Sequence, residues 1–132
     1  MITEEKLQKF TGFLDKKAFA HLSTIMPDDT PHTSPVLFSH ENTLIWINTA
    51  IGWVKGNMKK NPKVTLSIQN PENPFAYVGI RRKVIERTME GADKHIDALA
   101  KRYIDADKYL HRSPTEHRII HKIKPVSIFG IT

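Results

Sequence analysis

The chain has 132 residues, enough to bury a hydrophobic core, and we expect a single domain over residues 1–132. It contains no cysteine, which excludes disulfides, thiolate nucleophiles and cysteine-ligated metal sites. Lysine and arginine outnumber aspartate and glutamate by 20 to 14, and this balance favours an anionic partner: a phosphate, an acidic cofactor, nucleic acid or a membrane surface.

Two features of the sequence bear on location. No apolar run approaches the roughly 18 residues of a membrane-spanning helix. The first residues, MITEEKLQKF, are acidic and amphipathic, whereas a secretory signal begins with basic residues followed by an apolar run. We therefore expect a soluble, cytoplasmic protein with no membrane association.

The first part of the chain predicts one helix and then strands. Thr3 can cap an amphipathic helix that we expect to end at about Lys16. Residues 18–26 alternate in polarity and residues 32–40 follow a proline-rich turn, so the two segments are predicted to form a hairpin. Residues 43–50, rich in β-branched and aromatic side chains, are typical of a buried central strand.

The remaining elements alternate in type. A short basic helix is predicted from Trp53 to Asn61, and residues 63–70 alternate as a half-buried strand. Residues 75–88 predict a long strand bent near Gly79. A helical face recurs from Ala92 to Tyr103, and the last strands are expected after Arg118. Five or six antiparallel strands with outer helices predict a small, mainly β barrel.

The segment from Ile47 to Pro62 is the strongest candidate site. Asn48 and Thr49 end a strand, and Gly52 permits a close approach of the backbone at the start of the following helix. The free N–H groups of that helix and the ammonium of Lys55 would together suit a phosphate. The alternative is that the lysines only form a solvated helix face.

The stretch Thr33-Ser34-Pro35-Val36 is a second candidate. A proline within a strand indicates an edge, or a point where a hydrogen bond of the ladder is absent. Free backbone groups there could contact the rim of a flat heterocycle. A strand entry made of turn-forming residues explains the same pattern equally well.

Three other kinds of site have weaker support. His117 and His121 would have zinc-like spacing only in a helix, but residues 118–125 indicate a strand, so no metal site is predicted. Cations and aromatics within residues 75–83 suit single-stranded nucleic acid, although strand alternation divides these cations between two faces. No paired carboxylates and no Ser-His-Asp order stand out, so no catalytic residue is predicted.

Two segments carry a resemblance to a known family, TAIGWVKGNM at residues 49–58 and DKHIDALAKRY at residues 93–103. Together with residues 21–38, 73–86 and 117–125, they resemble the pyridoxamine-phosphate-oxidase-like proteins, in particular a small subfamily of deazaflavin-dependent or FMN-dependent oxidoreductases. The resemblance implies a Greek-key split β-barrel of six antiparallel strands. It also implies a homodimer that binds FMN or coenzyme F420, a deazaflavin, across the subunit interface.

The resemblance implies cofactor-binding roles at both candidate segments. The coenzyme phosphate would contact the strand-to-helix segment, and the ring would lie against the strand of residues 33–36. The residues concerned are Asn48, Thr49, Ala50, Lys55 and Asn57 for the phosphate, and Thr33, Ser34, Pro35 and Val36 for the ring.

Three positions depart from the family pattern. Ile51 stands where members commonly have an arginine, which removes one phosphate cation. Only Gly56 separates Lys55 from Asn57, where members usually have two residues, so one of these two side chains is expected to be displaced. Arg82 stands where members carry a glycine, and it could narrow the site or supply the missing charge.

The resemblance implies an oxidoreductase in which the coenzyme transfers hydride to or from a small conjugated organic substrate. In such an enzyme the coenzyme carries the reaction while the protein holds the ring, which fits the lack of a predicted catalytic dyad. Two other classes of protein stay open. One is a non-catalytic split barrel that binds a flavin or haem, and the less favoured one is a basic nucleic-acid binder.

Overall fold

The fold is described from a computed structural model that covers residues 12, 14–41, 44–50, 53–108, 117–125 and 127–129, without the side chains of residues 53–55, 82–83 and 127–129. The predicted helix from Thr3 to Lys16 lies for the most part outside these residues. Within them, the helices are α1 (Trp53–Lys60) and α2 (Ala92–Ile104). The strands are β1 (Ala20–Ile25), β2 (Pro31–Val36), β3 (Phe38–Glu41), β4 (Leu44–Thr49), β5 (Lys63–Gln69), β6 (Tyr77–Thr88), β7 (Ile119–Ile123) and β8 (Ser127–Phe129).

The strands form one antiparallel path with β2 and β3 at its two ends. Pairing follows the order β2-β1-β5-β6-β7-β4-β3, with β8 beside β6. The first and last strands of this path, β2 and β3, are consecutive in the chain and are separated only by Leu37. The fold is a split barrel, as predicted, but with eight strands in the described residues where five or six were predicted.

The chain passes from one half of the barrel to the other between β2 and β3 and within β6. The segment predicted as a single strand over residues 32–40 is interrupted at Leu37, because β2 pairs with β1 whereas β3 pairs with β4. The predicted bend of β6 at Gly79 is wrong, since Gly79 pairs in register with Ser67. The irregularity falls between Val84 and Glu86, where β6 begins to pair with β7, and an extra residue at this point reorients the strand.

The inside of the barrel follows the predicted alternation. In β1 and β5 the residues at every second position are buried, and the intervening ones face outward. Helix α1 adds Met58, which is 1% exposed, to the same core. The largest fully buried apolar side chains include Leu22, Phe38, Ile45, Ile47, Leu66, Ile68 and Ile123.

Helix α2 packs on β4 and β7. It begins after Gly91, whose φ of 74° lies in the left-handed region that favours glycine. Its predicted apolar face is confirmed, because Ala92, Ile96, Leu99 and Ala100 are buried. Neither α1 nor α2 is long and apolar enough to cross a membrane.

Candidate functional site

The end of β4 and the start of α1 form the corner where the sequence predicts an anion site. β4 ends at Thr49, and α1 begins at Trp53, with Ala50 half-buried between them. The first turn of α1 contains no acidic residue, so its free N–H groups keep their partial positive charge. Residues 51–52 and the side chain of Lys55 lie outside the described part of the chain. The backbone arrangement therefore suits an anion at this corner.

Asn48 makes its side-chain hydrogen bonds inside the protein, where it is 7% exposed. Its amide nitrogen donates to the carbonyl oxygen of Ala92 at 2.7 Å and to Nδ1 of His95 at 3.1 Å. Its Oδ1 accepts from Nε of Arg118 at 2.7 Å. Since a guanidinium only donates, this last contact fixes which side of the amide carries the oxygen. The Asn48 side chain thus joins β4 to α2 rather than facing the corner.

Thr49 is oriented in a similar way from the other face of β4. Its hydroxyl lies 2.8 Å from Nε2 of His121, a fully buried side chain of β7. Thr49 itself is 8% exposed. The two consecutive residues that end β4 are therefore held from opposite faces, and a contact with a bound anion is left to their backbone and to Ala50.

Asn57 also points into the protein, with 5% of its surface exposed. Its amide donates to Oγ1 of Thr24 at 3.0 Å and to Sδ of Met26 at 3.1 Å. Together with the buried Met58, these contacts attach α1 to the end of β1. Asn57 therefore sets the position of the helix whose N-terminus faces the corner.

Two adjoining clefts lie around the β1–β2 turn beside α1. The first, of about 400 Å³, is lined in part by Gly56, Asn57 and Lys60 of the helix. The second, of about 350 Å³, extends to His32 at the start of β2. Asp28 lines both clefts, and its pKa is lowered by hydrogen bonds from Thr30. Their volumes are at the lower end of the range for small-molecule sites.

The second candidate segment lies in β2, at one end of the strand order. In the described residues β2 pairs only with β1. Its outer edge therefore has free backbone groups, as the proline predicted. Thr33 and Pro35 are exposed, whereas Ser34 and Val36 are half-buried on the other face, and Val36 packs against the core. Only two of the four predicted side chains share an outer surface.

That outer surface, which we name the open face, continues across four strands. It is built mainly from small or hydroxyl-bearing side chains, and the hydroxyls of Ser23 and Thr33 are 2.8 Å apart. In the described residues helix α2 packs mainly on β4 and β7. Cross-strand pairing aligns the residues of this face in two rows. The first row consists of Pro35, His21, Ser67 and Gly79, and the second consists of Thr33, Ser23, Thr65 and Arg81.

Sequence reasoning missed a buried polar network behind the corner. Nε2 of His95 lies 2.8 Å from Oγ of Ser39, and its Nδ1 accepts from Asn48. The hydrogen bonds therefore assign the proton to Nε2, which donates to Ser39. Burial, and then the charge of Arg118, lower the pKa of His95 to about 4. A ring that donates to the serine cannot deprotonate it, so Ser39 and His95 do not form a nucleophile–base pair.

The sequence contained only an indirect signal for this network. Asn48 is a polar residue that follows the apolar run of β4, and His95 lies near the start of an amphipathic helix. Their partners are far away in the chain, and Arg118 is 70 residues from Asn48. No three His, Asp or Glu side chains of the described residues are grouped as metal ligands.

Comparisons with known proteins identify the class. Residues 7–129 match the family model described as pyridoxamine 5'-phosphate oxidase, and the chain belongs to this family, as the resemblance predicted. A solved structure called F420 reductase is 25% identical, with a TM-score of 0.78, and the match covers 89% of this chain and 94% of that one.

Two further solved structures share the fold. General stress protein 26 from Bacillus anthracis is 20% identical, with a TM-score of 0.71 and coverage of 95% of this chain and 92% of that one. An FAD-binding protein from Mesorhizobium loti is 12% identical, with a TM-score of 0.69 and coverage of 92% and 90%. A comparison with curated protein sequences found no match.

Proposed function

We propose that this protein binds a flavin-type coenzyme, either coenzyme F420 or FMN, and acts as an oxidoreductase on a small conjugated organic substrate. The observation that carries the proposal is the N-terminus of α1, whose first turn contains no acidic residue. This N-terminus follows the end of β4, where hydrogen bonds hold the last two side chains from both faces, and the chain belongs to this family. The similarity to an F420 reductase supports the deazaflavin, and the FAD-binding neighbour supports a flavin-type coenzyme.

The chain fits such a group in three respects, of which the role of the Lys55 ammonium is argued from the sequence alone. The N–H groups of α1 and the ammonium of Lys55 would hold the phosphate. The free backbone edge of β2 would hydrogen-bond the polar rim of the ring. The open face presents the small, exposed side chain of Ser67, which would leave room for a planar ring. When bound, the coenzyme would supply hydride transfer, and the protein would orient the ring and exclude water.

We further propose a cytoplasmic homodimer in which the open face meets the partner subunit. Ser67, Thr33 and Pro35 are exposed on this face, and small side chains allow two sheets to approach closely. A ring lying on one open face would then be covered by the second subunit. Shielding from water in this way is what hydride chemistry requires.

The proposed function can be tested on the full chain purified without added coenzyme. We expect the visible absorption of FMN or of F420 to change on titration with the protein at micromolar concentrations. We also expect the previously reduced coenzyme to be reoxidised when it transfers hydride to an added conjugated acceptor. Binding without turnover of any acceptor would favour a non-catalytic flavin-binding protein. Salt-sensitive capture of single-stranded oligonucleotides, with neither coenzyme bound, would contradict the proposal and favour the nucleic-acid alternative.

The phosphate assignment gives a first mutational prediction. We expect Lys55→Ala to weaken coenzyme binding by about 1.5 to 3 kcal/mol, the usual contribution of a hydrogen bond to a charged group, with the fold intact. Isothermal titration with the coenzyme and circular dichroism measure these two quantities. Lys59→Ala is the matched control, because Lys59 is an exposed lysine in the last turn of the same helix. Equal dissociation constants for the two variants would show that Lys55 does not bind the coenzyme phosphate.

A further inference from the structure

Arg118 is a buried cation that the predicted site does not include. It lies immediately before β7 and is 9% exposed. Its guanidinium contacts Asn48 twice, because Nε donates to Oδ1 at 2.7 Å and Nη2 donates to the main-chain oxygen at 3.3 Å. One side chain therefore restrains both the side chain and the backbone of the penultimate residue of β4.

These contacts reach the corner through a short stretch of chain. Asn48 is followed by Thr49, which His121 holds from the other face, and then by Ala50 and the start of α1. The remaining donors of Asn48 are used by Ala92 and His95 of α2. If Arg118 were removed, the buried Oδ1 would lose its charged donor, and the end of β4 would be free to relax.

We propose that Arg118 is a positioning residue for the coenzyme site, acting through Asn48 on the end of β4, from Asn48 to Ala50. The inference rests on the proposed function, because it assigns the orientation of the anion-binding backbone to a side chain that does not touch the coenzyme. An anion held by backbone N–H groups depends on their orientation, so a small displacement of this segment weakens binding.

The test compares Arg118→Met and Arg118→Lys with the wild-type chain. Titration with FMN and with F420 should show a dissociation constant raised on the order of tenfold in Arg118→Met, the loss expected for a hydrogen bond to a charged donor. Arg118→Lys keeps the charge but cannot make both contacts, so we expect partial recovery. In the coenzyme-free protein, ¹H–¹⁵N spectra of Arg118→Met should show shifted amide signals for Ala50 and the first turn of α1.

Arg102→Met is the matched control. The Arg102 guanidinium donates to the carbonyl oxygens of Leu14 and Lys16, both at 2.8 Å, and it supports a segment away from the corner. We expect this variant to lose stability in urea without a change in coenzyme affinity. An affinity of Arg118→Met equal to that of the control, or unshifted amides at Ala50 and α1, would overturn the proposal.

Two further outcomes remain decisive. If Arg118→Met does not fold, the test uses Arg118→Lys alone. The proposal is then overturned if Arg118→Lys has wild-type coenzyme affinity and unshifted amide signals at Ala50 and the first turn of α1. If the wild-type chain binds neither coenzyme, the proposed function fails. The amide shifts of the coenzyme-free variants then still show whether Arg118 orients the start of α1.

Discussion

His95 shows how the environment of a single residue sets its charge. Its ring lies between Ser39 and Asn48, within hydrogen-bond distance of both, and 5.7 Å from the ring of Trp46. Burial and the charge of Arg118 lower its pKa to about 4, so the ring is neutral at neutral pH. Neutrality is also what the network requires, because a protonated Nδ1 could not accept from Asn48.

This lowered pKa predicts a pH-dependent stability. The folded state disfavours the charged ring, so the contribution of His95 is fully present above the unfolded pKa of about 6.5 and is lost as the pH falls toward 4. The shift corresponds to at most about 3 to 4 kcal/mol, which solvent screening of an incompletely buried ring reduces. Urea unfolding at a series of pH values between 7 and 4 measures the loss.

His95→Gln isolates this contribution, because glutamine does not titrate. We expect its free energy of unfolding to change less between pH 7 and pH 4 than that of the wild-type chain. His32→Gln serves as the control, since His32 lies on β2, away from the network. Equal pH dependence in the wild-type chain and His95→Gln would show that the ring does not control acid stability.

Residues at the site could be predicted only in part. The sequence identified Asn48 and Thr49 because polar residues stand out where a strand passes into a helix, and the resemblance added Asn57. It did not show that these side chains point inward, because their partners come from distant segments. His121, for example, is 72 residues from Thr49.

At the scale of elements, replacing either of two glycines by alanine is expected to change the stability of the protein in opposite directions. Gly91 begins α2 with a φ of 74°, and no neighbouring atom lies within 4 Å of an added Cβ. Gly91→Ala therefore introduces backbone strain without a clash, and we expect a loss of about 1 kcal/mol.

Gly56 lies within α1 and also has open space around an added Cβ. Gly56→Ala should stabilise the protein by up to about 1 kcal/mol, the difference in helix propensity. Thermal or urea unfolding of both variants measures these changes. A gain in stability for Gly91→Ala would contradict the strain expected at that position.

Periodic elements were predicted correctly, and irregular ones were not. β5 and α2 have clear periods of two and of 3.6 residues, and both have the predicted buried faces. The break at Leu37 and the irregularity after Val84 change strand partners without changing local polarity. Such changes depend on which distant strand is adjacent, and a single sequence does not specify this.

At the scale of the whole molecule, the proposed homodimer gives a prediction about the open face. Ser67 is exposed in one of its rows, between His21 and Gly79. Ser67→Arg would place a large cation where two like surfaces meet, and we expect it to convert a dimer of twice 15.1 kDa into a monomer. Sedimentation equilibrium measures the mass.

Ala98→Arg is the control for this substitution. Ala98 is exposed on α2, so the same cation is added away from the open face. We expect this variant to remain dimeric. A wild-type chain that sediments as a monomer, or loss of the dimer in both variants, would contradict the proposed interface.

The passages of the chain between the halves of the barrel have a mechanical consequence. In the described residues the chain passes between the halves at Leu37, through α1 between β4 and β5, and within β6 after Val84. β2 belongs to one half of the barrel, with β1 and β5, whereas β4 belongs to the other half, with β3 and β7. A ligand that contacts both β2 and the end of β4 would hold the two halves of the barrel at a fixed angle. It would stabilise the entire barrel by mass action, and its affinity would report on that angle.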